Sequence, residues 1–79
     1  MNSALITLDT RGEKCPVPLL KLAKTFRDEP LIIQIEIWSD DPASVADIPA
    51  WCRMTDHELR SQEKSNDYWK FVEIGRAHV

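Results

Sequence analysis

The stretch Asp9-Thr10-Arg11-Gly12-Glu13-Lys14-Cys15-Pro16-Val17-Pro18 joins an apolar, strand-like run to an amphipathic helical one, and its reading decides the fold. Before it, Leu5–Asp9 combines β-branched and apolar residues with no breaker, which predicts a strand. After it, Leu19, Leu22, Ala23 and Phe26 recur at i, i+3, i+4 and i+7, the spacing of a helix with one buried face. Between the two, Gly12 supplies the backbone freedom for a sharp turn. Pro16 suits the first helical position, where its fixed φ fits and its missing N–H leaves nothing unpaired. Cys15 then falls at or next to the N-cap, beside the free amides and positive end of the helix dipole. Lys14 and Arg11 add positive charge nearby, and Glu13 adds an acid that opposes it. The sum predicts a modestly depressed thiol pKa and a nucleophilic cysteine. The alternative is a small inert residue packed at a strand–helix junction, but polar and rigid neighbours make a poor apolar pocket.

Further along, Asp28-Glu29-Pro30 stops the first helix, because the residue before a proline avoids helical geometry. Leu31–Trp38 alternates, with Leu31, Ile33, Ile35 and Ile37 on one face and Ile32, Gln34, Glu36 and Trp38 on the other. That pattern predicts a strand with one core face. Ser39-Asp40-Asp41-Pro42 reads as a turn and helix start, with Asp40 and Asp41 as caps. A second helix is expected from Ala43 to about Met54, with Val45, Ile48 and Cys52 inside. Pro49 within it predicts a kink or a first turn of different geometry. His57–Lys64 reads as a polar strand, Ser65-Asn66-Asp67 as a hairpin turn, and Tyr68–Ile74 as the last strand. The order β-α-β-α-β-β predicts an α+β fold, a two-layer α/β sandwich. Right-handed crossovers put both helices on one face of a four-stranded mixed sheet. Residues 1–79 are read as a single small domain.

Composition narrows the function. A net charge of −3 argues against general phosphate or nucleic-acid binding, which calls for a basic face. Two cysteines, Cys15 and Cys52, are too few for a disulfide framework and form no Cys-x-x-Cys pair. His57 and His78 stand at no metal-site spacing from either cysteine, so no metal and no resident cofactor are expected. Neither a signal peptide nor a membrane span is legible, and a cytoplasmic setting that keeps a lone thiol reduced is expected. Glu73-Ile74-Gly75-Arg76-Ala77-His78-Val79 reads as the translation of a common sequencing-library adapter, or else as a natural frayed terminus. It is set aside from function either way.

The remaining candidates carry paired readings. Cys52 is expected to be buried packing, with a resolving cysteine as the sharper alternative. His57 is expected at a strand start with its ring hydrogen-bonded, rather than as a general base. Trp38, Trp51 and Trp69 are expected to pack at the core or sheet edge, although Trp38 on the open face could mark a contact surface. Lys21, Lys24 and Arg27 lie off the apolar stripe of the first helix, as a solvated face or as the docking patch for an acidic partner.

Asp9, Gly12, Cys15, Pro16 and Pro18 fall on the pattern Asp-x-x-Gly-x-x-Cys-Pro-x-Pro, and the stretch resembles the signature of the TusA/SirA-like sulfur-carrier family. Asp40-Asp41-Pro42-Ala43, Asp47-Ile48-Pro49-x-Trp51-Cys52 and His57-Glu58-Leu59 resemble later segments of the same family. Glu13 departs from the apolar residue common there, and Asp56 from a glycine; Asp tolerates the left-handed conformation that glycine favours. The resemblance implies the same two-layer fold and a sulfur carrier without resident cofactor. Cys15 would accept a persulfide sulfur from a cysteine desulfurase or similar donor. It would then relay that sulfur to an acceptor in tRNA thiolation, molybdenum-cofactor or sulfur-oxidation pathways. Arg11, Gly12, Lys14, Pro16 and Pro18 would shape the loop or activate the thiol, and Lys21, Lys24 and Arg27 would meet the partner. A non-catalytic regulatory or protein-interaction module is the alternative.

Overall fold

The computed structural model describes residues 5–28 and 34–74. Their order is β1 (Leu5–Asp9), α1 (Val17–Asp28), β2 (Gln34–Ser39), α2 (Ser44–Thr55), β3 (Glu58–Lys64) and β4 (Trp69–Ile74). The four strands form one sheet in the order β1-β2-β4-β3. β1 runs parallel to β2, while β4 is antiparallel to both β2 and β3. The fold is the α+β sandwich expected from the pattern. Glu29–Ile33, which includes the helix stop at Glu29-Pro30 and the start of the expected second strand, lies outside the described residues, as do positions 75–79.

One face of the sheet carries the core. Ile35 and Ile37 of β2 and Phe71 of β4 are fully buried with Leu22 of α1 and with Ile48 and Cys52 of α2. Both helices therefore cover the same face. Each such aliphatic or aromatic side chain contributes about 1.5–3 kcal/mol through removal from water. Leu19 and Phe26 flank Leu22 on α1, as the helical spacing requires. The first turn of α2 is tight: the amides of Ser44, Val45 and Ala46 bond to carbonyls three residues back. This is the altered first-turn geometry that Pro49 suggested, and the helix runs through the proline unbroken. It ends at Asp56, which takes φ 64° in the left-handed region, and the His57 amide closes the cap on the Cys52 carbonyl. His57 packs between Phe26 and Trp51, its ring hydrogen-bonded to the Thr55 hydroxyl.

Glu73 breaks the core pattern. It faces inward from β4, in register with Ile35 and Leu59, and is fully buried. Neither carboxylate oxygen has a hydrogen-bond partner among the described residues. Burial pushes its carboxyl up to about 8, with the nearby Cys52 thiol acting weakly in the opposite sense. Burial first, and then the Glu73 charge, push the Cys52 thiol up to about 12, and the side chain packs within the core cluster.

The sign of the resulting pH dependence follows from linkage. Folded Glu73 holds its proton up to about pH 8, whereas the ordinary value is 4.5, so stability falls as pH rises between those limits. The slope is at most about 1.4 kcal/mol per pH unit. Glu73→Leu is expected to remove that slope and to raise stability at pH 7 by about 2 kcal/mol, read by urea denaturation across pH 5–8.

Candidate functional site

Because β1 and β2 are parallel neighbours, their C-terminal ends lie at the same edge of the sheet. The loop after β1 carries Cys15, and the loop after β2 carries Asp40 and Asp41. The first junction is made by Thr10, whose amide and hydroxyl both donate to the Trp38 carbonyl. Gly12 then turns the chain at φ 88°, a conformation that glycine adopts freely, and its amide donates to the Asp40 carboxylate at 3.0 Å. The Cys15 amide donates to Asp41 Oδ2 at 2.7 Å, while Asp41 Oδ1 accepts the Ala43 amide at 3.1 Å. These two amides, Cys15 first, hold the Asp41 carboxyl below the usual carboxylate range, with Lys14 charge adding to the effect. The clamp therefore stays ionised throughout neutral pH and is lost only as acid approaches that lowered value.

Cys15 lies next to the N-cap as expected, and it is the place of Pro16 that differs. α1 begins at Val17, and the Pro16 carbonyl accepts the Leu20 amide, so Pro16 is the N-cap and Cys15 precedes it. The Cys15–Pro16 peptide bond is cis. Pro18, buried in the first turn, fills the early helical place assigned to Pro16, where a missing N–H leaves nothing unpaired. The half-buried Cys15 thiol reaches the first turn of α2, with Sγ 3.7 Å from Ser44 Oγ.

Its ionisation is corrected as well. The Cys15 thiol pKa is raised: by desolvation first, and also by the Asp47 carboxylate, which disfavours a thiolate, and by Asp41. Ser44 pulls in the opposite direction. Arg11 is committed elsewhere: it makes a two-point pair with Asp9 at 2.8 and 2.7 Å and lies over the Trp38 and Tyr68 rings. Lys14 acts on Asp41, and Glu13 accepts from Lys21 at 2.7 Å.

Lys21, Lys24 and Arg27 are exposed on α1 as expected. Each also meets an acid, Lys21 with Glu13 and the other two with Asp28. The residues missed from sequence are Ser44, Ser39 and Asp47. Ser39 and Ser44 are fully buried, with their hydroxyls 2.7 Å apart. The available signal was the strand alternation, which puts Ser39 on the same face as Ile35 and Ile37 and so points a hydroxyl inward. Asp40 was read as a cap; its carboxylate instead holds the neighbouring loop. Among the described residues, no group of three or more His, Cys, Asp or Glu is placed to hold a metal ion, and no helix is long and apolar enough to cross a membrane.

A two-layer α+β domain that fixes one cysteine at the meeting of two parallel-strand loops defines a class of thiol-presenting proteins. The family described as Sulfurtransferase TusA matches residues 6–72, and the chain belongs to that family. A protein of Archaeoglobus fulgidus named as a candidate sulfur carrier is 37% identical over 68 residues, which cover 86% of this chain and 93% of that protein. The crystal structure of a SirA-like protein from Desulfitobacterium hafniense superposes with a TM-score of 0.78 at 18% identity. The match covers 89% of this chain and 96% of that one, and it establishes the shared fold.

The charges that act on the thiol can be tested directly. Asp47→Asn is expected to lower the Cys15 pKa and to speed iodoacetamide alkylation near neutral pH, whereas Lys14→Gln leaves the rate within about twofold. Rates are followed on the Cys15 peptide by mass spectrometry. Equal effects of the two substitutions would return the thiol to the control of its own loop.

Proposed function

We propose that Cys15 carries sulfur as a persulfide between a donor and an acceptor protein. The observation that carries this reading is the placement of a partly exposed thiol on a loop whose two amides are held by Asp40 and Asp41, in a chain of the TusA family. In loading, the Cys15 thiolate attacks the terminal sulfur of a donor persulfide, supplied by a cysteine desulfurase or similar enzyme. A new S–S bond forms, the donor S–S bond breaks, and its electron pair leaves on the donor cysteine sulfur. In delivery an acceptor attacks the terminal sulfur, and the electron pair returns to Cys15. No net oxidation occurs in either step.

A raised thiol pKa suits this role. It keeps the empty carrier protonated and sparing in its side reactions, and it makes Cys15 a reluctant leaving group that holds its cargo until an acceptor arrives. Loading then requires the donor to help draw off the proton, which couples activation to docking. The fixed loop presents the sulfur at little entropic cost to two partners in turn. For docking, the exposed Lys21, Lys24 and Arg27 lie on the helix that leaves the Cys15 loop. An acidic partner surface could displace Glu13 and Asp28 from their pairs there. The chemistry requires a reduced thiol, as the cytoplasm provides, and the acceptor pathway is tRNA thiolation, molybdenum-cofactor assembly or sulfur oxidation.

The test is intact mass after incubation with a cysteine desulfurase, pyridoxal phosphate and cysteine. A gain of one sulfur on Cys15, absent in Cys15→Ser, is expected. Sulfur transfer to the acceptor that survives Cys15→Ser would favour the regulatory-module reading instead.

A further inference from the structure

We infer that Ser44, backed by Ser39, is the positioning group that holds the Cys15 sulfur whenever it is anionic, and that its main effect is on sulfur delivery. The inference rests on the carrier reading for its biological meaning, but its geometry stands apart from that reading. The Asp41 amide donates to Ser39 Oγ at 3.3 Å, Ser39 Oγ lies 2.7 Å from Ser44 Oγ, and Ser44 Oγ lies 3.7 Å from Cys15 Sγ. A sulfur anion can only accept, so Ser44 must turn its proton to the sulfur and, with that proton engaged, accept from Ser39, while Ser39 accepts from the Asp41 amide. The chain of donors thus has one consistent direction, from backbone amide through two hydroxyls to sulfur, and hydrogen bonds polarised in series strengthen one another. Both serines are fully buried, so solvent does not substitute for either hydroxyl.

The carboxylates of Asp47 and Asp41 act the other way and oppose ionisation of the sulfur. They favour the resting thiol, and Ser44 favours the charged form. Charge appears on the Cys15 sulfur at two moments: before it attacks the donor, and when the S–S bond to its cargo breaks. In loading, stabilising the anion raises the thiolate fraction but lowers its intrinsic nucleophilicity, so the gain is partly cancelled. In delivery, Cys15 is the leaving group, and the same hydrogen bond acts without that offset. Loss of Ser44 is thus expected to slow delivery more than loading.

The experiment compares the native chain with Ser44→Ala, Ser44→Thr and Ser39→Ala. Alkylation of Cys15 is followed against pH on its own peptide. In parallel, Cys15 is loaded with glutathione persulfide and unloaded with cyanide, which takes the terminal sulfur as thiocyanate and returns the electron pair to Cys15. Ser44→Ala is expected to move the alkylation curve to higher pH, to slow alkylation at pH 7 about threefold, and to slow thiocyanate release about tenfold. Ser44→Thr, which keeps the hydroxyl, is expected within about twofold of native. Ser39→Ala is expected between native and Ser44→Ala, and it supplies the test if Ser44→Ala does not fold. Native curves in folded Ser44→Ala, or a threonine variant no better than alanine, would overturn the inference. A native chain that takes up no sulfur would sink the carrier reading, while a shifted alkylation curve in Ser44→Ala would still establish the serine chain.

Discussion

The hydrogen bond from the Cys15 amide to the Asp41 carboxylate is the constraint on which the site depends. It ties the loop after β1 to the loop after β2, and parallel pairing makes it available by bringing both loops to one edge. The Gly12 amide on Asp40 repeats the device at the other end of the loop. Charged acceptors on backbone donors are among the stronger hydrogen bonds of a protein surface, and two of them fix a loop with few apolar contacts of its own. The cysteine is thus presented by electrostatics laid over a sheet, while the hydrophobic core beneath supplies the frame.

That arrangement sets the chemistry of the sulfur. A thiol at a bare helix N-terminus flanked by cations would be acidic and readily oxidised. Here the sulfur sits against the first turn of α2, where Asp47 and Asp41 oppose its ionisation and a buried serine pair favours it. A carrier needs this intermediate character. It must ionise on demand and then keep a labile S–S bond intact between partners.

Much of the fold was legible because it is written in local periodicity. The alternation around Ile35 and Ile37, the stripe of Leu19, Leu22 and Phe26, and the turn at Ser65-Asn66-Asp67 each name their element from adjacent residues. The site was legible only in its centre, Cys15 and the loop glycine. Asp40 and Asp41 looked like local caps, since nothing in the order of residues reveals which loop a parallel neighbour will set beside them. Arg11 looked like an activator because it is close in sequence, but its guanidinium is paired with Asp9. Ser44 and Asp47 entered the site through the packing of α2, a long-range result of sheet topology. Glu73 is the opposite case, a residue whose chemistry disagrees with its register position, where Ile35 and Leu59 ask for an apolar neighbour.

Amide hydrogen exchange at Gly12 and Cys15, compared between the native chain and Asp41→Ala, tests the central claim most directly. The account predicts slow exchange at both amides in the native chain, despite their place in a surface loop. In Asp41→Ala, the Cys15 amide should exchange at least about tenfold faster while the β2 and β4 amides keep their protection. Fast exchange of Cys15 in the native chain, or unchanged protection in the variant, would contradict a sulfur site built on the carboxylate clamp.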